Sequence, residues 1–165
     1  MTTMTATRPQ AQFFNLKSQF LSQGRLDNIV ATTPLLSVVV KVYASGGENA
    51  MHMHANEDHS FIVLQGQATF RINSDDNIKV VNKNEGVMLP RGVLYWFQSS
   101  AAENLVMLRV GASEEWVKHE RSNPYRGDFD GTDGRLGSDG LPLPGDSIGN
   151  KQVDPIVMPG KFFGA

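Results

Sequence analysis

The sequence predicts an all-β fold, an antiparallel barrel or sandwich built from many short strands. Three observations carry that expectation. From Ser37 to Val110 the chain alternates β-branched or aromatic runs with tight turns, at spacings too short for a helix between them. Turn signals recur, with Ser45-Gly46-Gly47, Ser74-Asp75-Asp76-Asn77, Asn82-Lys83-Asn84-Glu85-Gly86 and Pro90-Arg91-Gly92 each closing one run and opening the next. The length of 165 residues and an apolar fraction of 40% fit one modest core and no second one. A parallel α/β sheet is excluded, since its strands need crossover helices.

The elements follow in order. Met1 to Gln10 reads as disordered, and Ala11 to Leu26 is ambiguous. Phe13, Leu16, Phe20 and Leu21 fit a helical face, whereas Phe13-Phe14-Asn15-Leu16 fits an edge strand. Ser37–Tyr43 is a β-branched strand, followed by Ala50–His54, His59–Gln65, Ala68–Asn73, Ile78–Val81, Val87–Leu89, Val93–Gln98 and Asn104–Val110. Ser113–Arg121 has a Ser N-cap and acidic residues in its first turn, which predicts a short helix. Beyond it the chain is dense in Gly, Pro and Asp until Ile156-Val157-Met158 and Phe162-Phe163. Such a tail builds no domain of its own and is expected to lie across the barrel or a second subunit. The division expected is therefore an arm over 1–27, a barrel over 28–112, and a helix with an extended tail over 113–165.

Charge is nearly balanced at a formal −2, with no basic block, so neither nucleic acid nor an anionic membrane is an expected partner. With no cysteine, disulfides and thiolate ligands are excluded, and any metal site must use nitrogen and oxygen donors. The Thr-rich N-terminus lacks the apolar segment of a signal peptide, and no run approaches a membrane span. A cytoplasmic protein is the expectation.

Three of the four histidines, His52, His54 and His59, fall within Gly46–Gly66. His52 and His54 are two apart, so on a strand they leave one face. His59 is out of phase with them, but a bend at Ala55-Asn56-Glu57-Asp58 lets the next strand restart its phase. Three imidazoles then converge between neighbouring strands, as a borderline divalent ion requires. Any one of them alone is more simply a half-buried, hydrogen-bonded histidine.

These residues resemble a known family. Gly46, five residues, His52-x-His54, four residues, His59, six residues and Gly66 is similar to the first motif of the cupins, except that His59 stands where the family has glutamate. The second motif is recognisable from Asn84 to Ser99: Pro90 and Gly92 fit, while Asn84, Tyr95 and Ser99 replace its Gly, His and Asn. Asn tolerates the positive φ that the first of these positions needs. The motifs and their flanking strands cover residues 37 to 110. The resemblance implies a double-stranded β-helix, a jelly-roll barrel holding one divalent transition metal near its axis. Carried over by position, His52 and His54 are ligands, His59 takes the glutamate's place and Tyr95 that of the last histidine.

Three neutral imidazoles would leave a divalent ion its full charge and favour anionic partners such as an enolate or phenolate. Fe²⁺ is favoured, with Zn²⁺, Mn²⁺, Ni²⁺ and Cu²⁺ open. Tyr95 admits three roles: a phenolate ligand, a hydrogen-bond or proton donor behind the ligands, or a barrel-lining residue satisfied elsewhere. Period-2 alternation puts Phe61 and Val63 on the His59 face and Phe97 on the Tyr95 face, beside the metal or simply in the core. Arg71 and Arg109 would pair a substrate carboxylate if they point inward. Met51 and Met53 face away from the metal, and His119 sits in the charged helical segment. Glu57 and Asp58 read as solvated loop residues, with Glu57 a surrogate carboxylate ligand only if the loop turns differently. The expected function is a mononuclear metal-dependent oxygenase acting on a small enolisable or aromatic substrate. Alternatives are a redox-neutral isomerase, lyase or cyclase, and a non-catalytic metal- or ligand-binding cupin. A homodimer through the arm or the tail is expected.

Overall fold

The computed structural model describes residues 10–44, 51–54, 57–113, 121–123, 127–128 and 153–165. Among these every regular element is a strand: β1 (Ser18–Gln23), β2 (Arg25–Thr32), β3 (Leu36–Tyr43), β4 (Met53–His54), β5 (Glu57–Gln65), β6 (Gln67–Ile72) and β7 (Ile78–Asn82). There follow β8 (Gly86–Leu89), β9 (Tyr95–Ser99), β10 (Leu105–Ser113), β11 (Arg121–Asn123), β12 (Gly127–Asp128) and β13 (Ile156–Phe163). No helix in the described residues is long and apolar enough to cross a membrane.

One antiparallel sheet has the order β2-β3-β10-β5-β8 and another the order β7-β6-β9. A short sheet, β12-β11-β4, and a ribbon of β1 with β13 complete the set. An isolated bridge between His52 and Tyr95 ties the histidine segment to β9, with both backbone hydrogen bonds made, at 3.1 and 2.8 Å.

Side-chain period sets what each sheet buries. Along β5, Glu57, His59, Phe61 and Val63 are buried while the residues between them are more accessible. In β10, Leu105 and Met107 point into the barrel and Val106 and Leu108 pack on the opposite face. The interior is a continuous apolar cluster of Tyr43, Phe61, Val63, Phe70, Tyr95, Phe97, Leu105 and Met107 with smaller neighbours. Edge-on and tilted ring contacts hold it together, such as Tyr43 on Phe97 at 5.0 Å and Phe70 on Phe97 at 4.9 Å. A second cluster, Leu21, Val40, Val42 and Val106, lies under the β1–β13 ribbon, where Phe163 and Leu16 also pack.

Backbone geometry explains two of the motif positions. Asn84 has φ of 69°, so asparagine fills a position that demands the left-handed region. Gly66, with φ of 77°, turns β5 into β6 where a β-carbon would fall 2.9 Å from the Asn104 carbonyl oxygen.

Several expectations change. Arg25–Thr32, of which Arg25 and Leu26 end the ambiguous stretch and the rest carries no expected element, is a full strand at the edge of the larger sheet. The ambiguous stretch before it is neither a helix nor an edge strand at Phe13–Leu16. Residues 10–17 run without regular structure, Phe13 is 98% exposed, and the strand begins at Ser18. Gln12 lends its side-chain amide to the edge strand, donating to the Thr32 carbonyl and accepting from its N–H. The expected helix falls on residues 114–120, outside the described residues, as does His119; Ser113 ends β10 and Arg121 opens β11. Of the tail, residues 153–165 return to this chain's own β1, and Gly164 lies against the Lys17 backbone.

Candidate metal centre

The centre is assembled by two chain segments, residues 51–54 and the start of β5. His52 and His54 leave one face of their short extended segment, and both are buried. β5 opens with Glu57, which shares the inward face of His59 two residues on. His54, Glu57 and His59 form a group whose ligand atoms all lie within 4.8 Å of one another. Glu57 Oε2 stands 3.0 Å from His59 Nε2 and 3.9 Å from His54 Nδ1. His52 adjoins this trio, its ring centroid 5.2 Å from that of His54 and 4.6 Å from that of Tyr95.

Tyr95 reaches the trio from β9. Its hydroxyl is 3.1 Å from His59 Nδ1. With the phenol on Nδ1, Nε2 is the ring nitrogen that faces Glu57 and His54. That nitrogen is buried and has no in-line hydrogen bond; the carboxylate oxygen is close to it but off the direction an N–H would take. A buried imidazole nitrogen facing a carboxylate oxygen and a second imidazole, without a proton well placed between them, is a donor set in search of a cation. Two imidazoles and a carboxylate suit a borderline divalent ion. The residues present therefore fit a metal ion.

Electrostatics around the trio come from the inner face of the larger sheet. Arg109, buried, places Nη2 3.1 Å from Ser37 Oγ and 3.4 Å from Glu57 Oε1. Lys41, also buried, donates to both carboxylate oxygens of Asp27 at 2.8 and 2.7 Å. Burial holds the His59 imidazole below its ordinary pKa; the Glu57 carboxylate opposes this, and the fields of Arg109 and Lys41 add to it. Burial raises Asp27, but Lys41, with Arg25 and Arg109 behind it, outweighs that and brings it below the carboxylate range.

Glu57 departs from its expected place. It is a buried member of the trio, not a solvated loop residue, because β5 begins two residues earlier than expected. The signal was present: Glu57, His59, Phe61 and Val63 follow one period-2 face. Asp58, on the other face, accepts from the Arg91 side chain and backbone N–H near the surface. These bonds hold its carboxyl below the usual range.

Phe61, Val63 and Phe97 are packed within the interior cluster, Phe61 with its ring centroid 5.7 Å from that of His59 and 5.8 Å from that of Tyr95. Arg71 does not point inward. Its neighbour Phe70 takes the core face of β6, so the Arg71 guanidinium lies on the outer side, 4.4 Å over the Trp96 ring. Met51 packs with Trp96 away from the trio, and Met53 opens β4 between His52 and His54.

A cupin family model matches residues 25–115, more than half of the chain. The chain is a cupin. Its all-β architecture, a double-stranded β-helix, is that of the family. Solved structures agree on the fold. An uncharacterised conserved protein with a double-stranded β-helix domain from Klebsiella pneumoniae is 18% identical, with a TM-score of 0.56 over 66% of this cupin and 92% of that chain. The conserved SPY1581 protein of unknown function from Streptococcus pyogenes is 19% identical, with a TM-score of 0.51 over 69% and 97%. The Cnp3 cupin domain of Schizosaccharomyces pombe is 20% identical, with a TM-score of 0.51 over 57% and 68%. No curated protein matches this cupin in sequence.

Proposed function

We propose that this cupin is a mononuclear metal-dependent enzyme, an oxygenase that takes a small enolisable or aromatic substrate at an Fe²⁺ centre. The observation that carries the reading is the buried trio of His54, Glu57 and His59, in which His59 Nε2 has no in-line hydrogen-bond partner. Two histidines and one carboxylate are the donor set of non-haem iron oxygenases, which keep positions free for substrate and O₂. Bound there, Fe²⁺ would supply the redox chemistry that side chains lack.

The chain's own groups do the rest. Glu57 places one negative charge in the site and thereby limits the net charge that a bound anion must offset. Tyr95, through His59 Nδ1, fixes which ring nitrogen faces the trio and holds a hydroxyl proton at the edge of the site. The rings of Phe61 and Tyr95 beside His59 give an apolar surround that suits a flat, weakly polar substrate and keeps water out. A redox-neutral reading, in which another divalent ion polarises a carbonyl while the Tyr95 hydroxyl moves a proton, rests on the same hydrogen bond.

Metal content and oxygen uptake separate the two. Untagged protein is expected to retain about one equivalent of metal per chain, and His54→Ala to lose it. With Fe²⁺ restored and a panel of enolisable diketones and catechols supplied, oxygen consumption is expected. Metal-dependent turnover without oxygen uptake would favour the redox-neutral reading, and a metal-free protein that fails to bind any added divalent ion sinks both.

A further inference from the structure

The carboxylate of Glu57 does not reach the trio by strand geometry alone. From the inner face of β5 it folds back over β10, above the row in which His59, Gly111 and Ser37 lie side by side across three strands. A β-carbon on Gly111 would fall 1.9 Å from Glu57 Oε1, 2.9 Å from its Cδ and 3.0 Å from Ser37 Oγ. The Gly111 backbone is in a region open to any residue, so turn geometry does not call for glycine there. Glycine in a strand interior weakens the strand, and close approach of another group is a physical reason for it. Here the approaching group is the carboxylate. Arg109 Nη2 then stands 3.4 Å from the same Oε1 and 3.1 Å from Ser37 Oγ, all three residues being buried. One carboxylate oxygen is thereby drawn towards Arg109 over Gly111, and the other, Oε2, is left facing His59 and His54.

We propose that Gly111, Arg109 and Ser37 are positioning residues for Glu57, a seat that presents Oε2 to a metal ion shared with His54 and His59. This rests on the metal-centre reading above. Gly111 supplies the space, Arg109 supplies the charge that makes burial of the carboxylate tolerable, and Ser37 keeps the guanidinium fork in place. The seat also accounts for a glutamate at this position: the side chain must extend past its own strand to lie over the next.

Zn²⁺ binding to the full chain, measured calorimetrically, tests the seat, with circular dichroism and thermal unfolding run on every variant. Gly111→Ala is expected to weaken Zn²⁺ binding by about 10–100-fold, the range seen when residues supporting a metal site are removed, and Glu57→Ala, which removes a ligand, by at least as much. The double variant is expected to be no weaker than Glu57→Ala alone, because a methyl group at residue 111 acts only by displacing the carboxylate. A merely structural glycine would lower affinity and melting temperature equally in both backgrounds, and additivity of that kind overturns the proposal. If Gly111→Ala does not fold, Arg109→Met and Ser37→Ala are read in the same two backgrounds, with Arg109→Lys expected to recover part of the lost affinity. Wild-type protein that binds no Zn²⁺ removes the metal reading itself. Tight wild-type binding unaffected by Glu57→Ala leaves a histidine site and removes the seat.

Discussion

His59 is held by Tyr95 at Nδ1 while its Nε2 faces the Glu57 carboxylate without an in-line hydrogen bond, and it is 1% exposed. Burial, with Arg109 and Lys41 nearby, keeps it neutral below its ordinary range despite that carboxylate. In the unfolded chain the same imidazole takes up a proton at about pH 6.5. Its folded pKa is depressed, so its contribution to stability is complete above that pH and is lost as the pH falls towards the folded value. Metal-free protein is therefore expected to lose stability as the pH falls below about 6.5. Urea unfolding midpoints measured from pH 8 to 5 check this, and His59→Gln is expected to flatten the curve over that interval. A midpoint that holds steady across the interval in the wild type would show that His59 folds with its proton on. Whether Glu57 belonged to the site was the least legible point in the sequence. The residue lies before the first hydrophobic position of β5, where composition alone reads as loop, and only its phase with His59 points inward.

β5 and β10 carry most of what the sequence made plain. Their alternation, the turn at Gly66 and the positive φ at Asn84 can each be read from residue type, because each is set by local sterics. Asn84 offers a clean test at this scale. It is exposed, and its backbone N–H donates to the Val63 carbonyl at 2.8 Å, so substitution acts on backbone conformation. Asn84→Ala is expected to cost about 1–2 kcal/mol for a left-handed alanine. Asn84→Gly is expected to stay within about 0.5 kcal/mol of wild type, as chemical denaturation would show. β2 escaped notice for a physical reason. It is an edge strand carrying Asp27, Asn28 and exposed Ile29, with no clear alternation, and its neighbour β3 and the Lys41–Asp27 pair hold it in place. Such non-local support leaves no periodic trace. The inward orientation of Arg109 and the outward one of Arg71 were likewise undetermined until register placed Met107 and Phe70 in the core.

Across the whole molecule, two apolar layers share the larger sheet as a common wall. The inner one surrounds the rings next to the trio, and the outer one is closed by the β1–β13 ribbon, where Leu21 is 1% exposed. The barrel was foreseen because its strands are contiguous and its motif is dense. The ribbon was not, because its two strands lie far apart in the chain and pair with register shifts at Gln19/Leu21 and Leu21/Gln23. Its tail strand brings Gly164 beside Lys17. Those two places can accordingly be bridged by a few glycines, and the chain restarted at the Ser74–Asn77 turn, without breaking any strand described here. Such a rewired polypeptide is expected to retain the far-ultraviolet spectrum and the Zn²⁺ affinity of the original, which would make the order of threading dispensable for a centre whose parts are brought together in space.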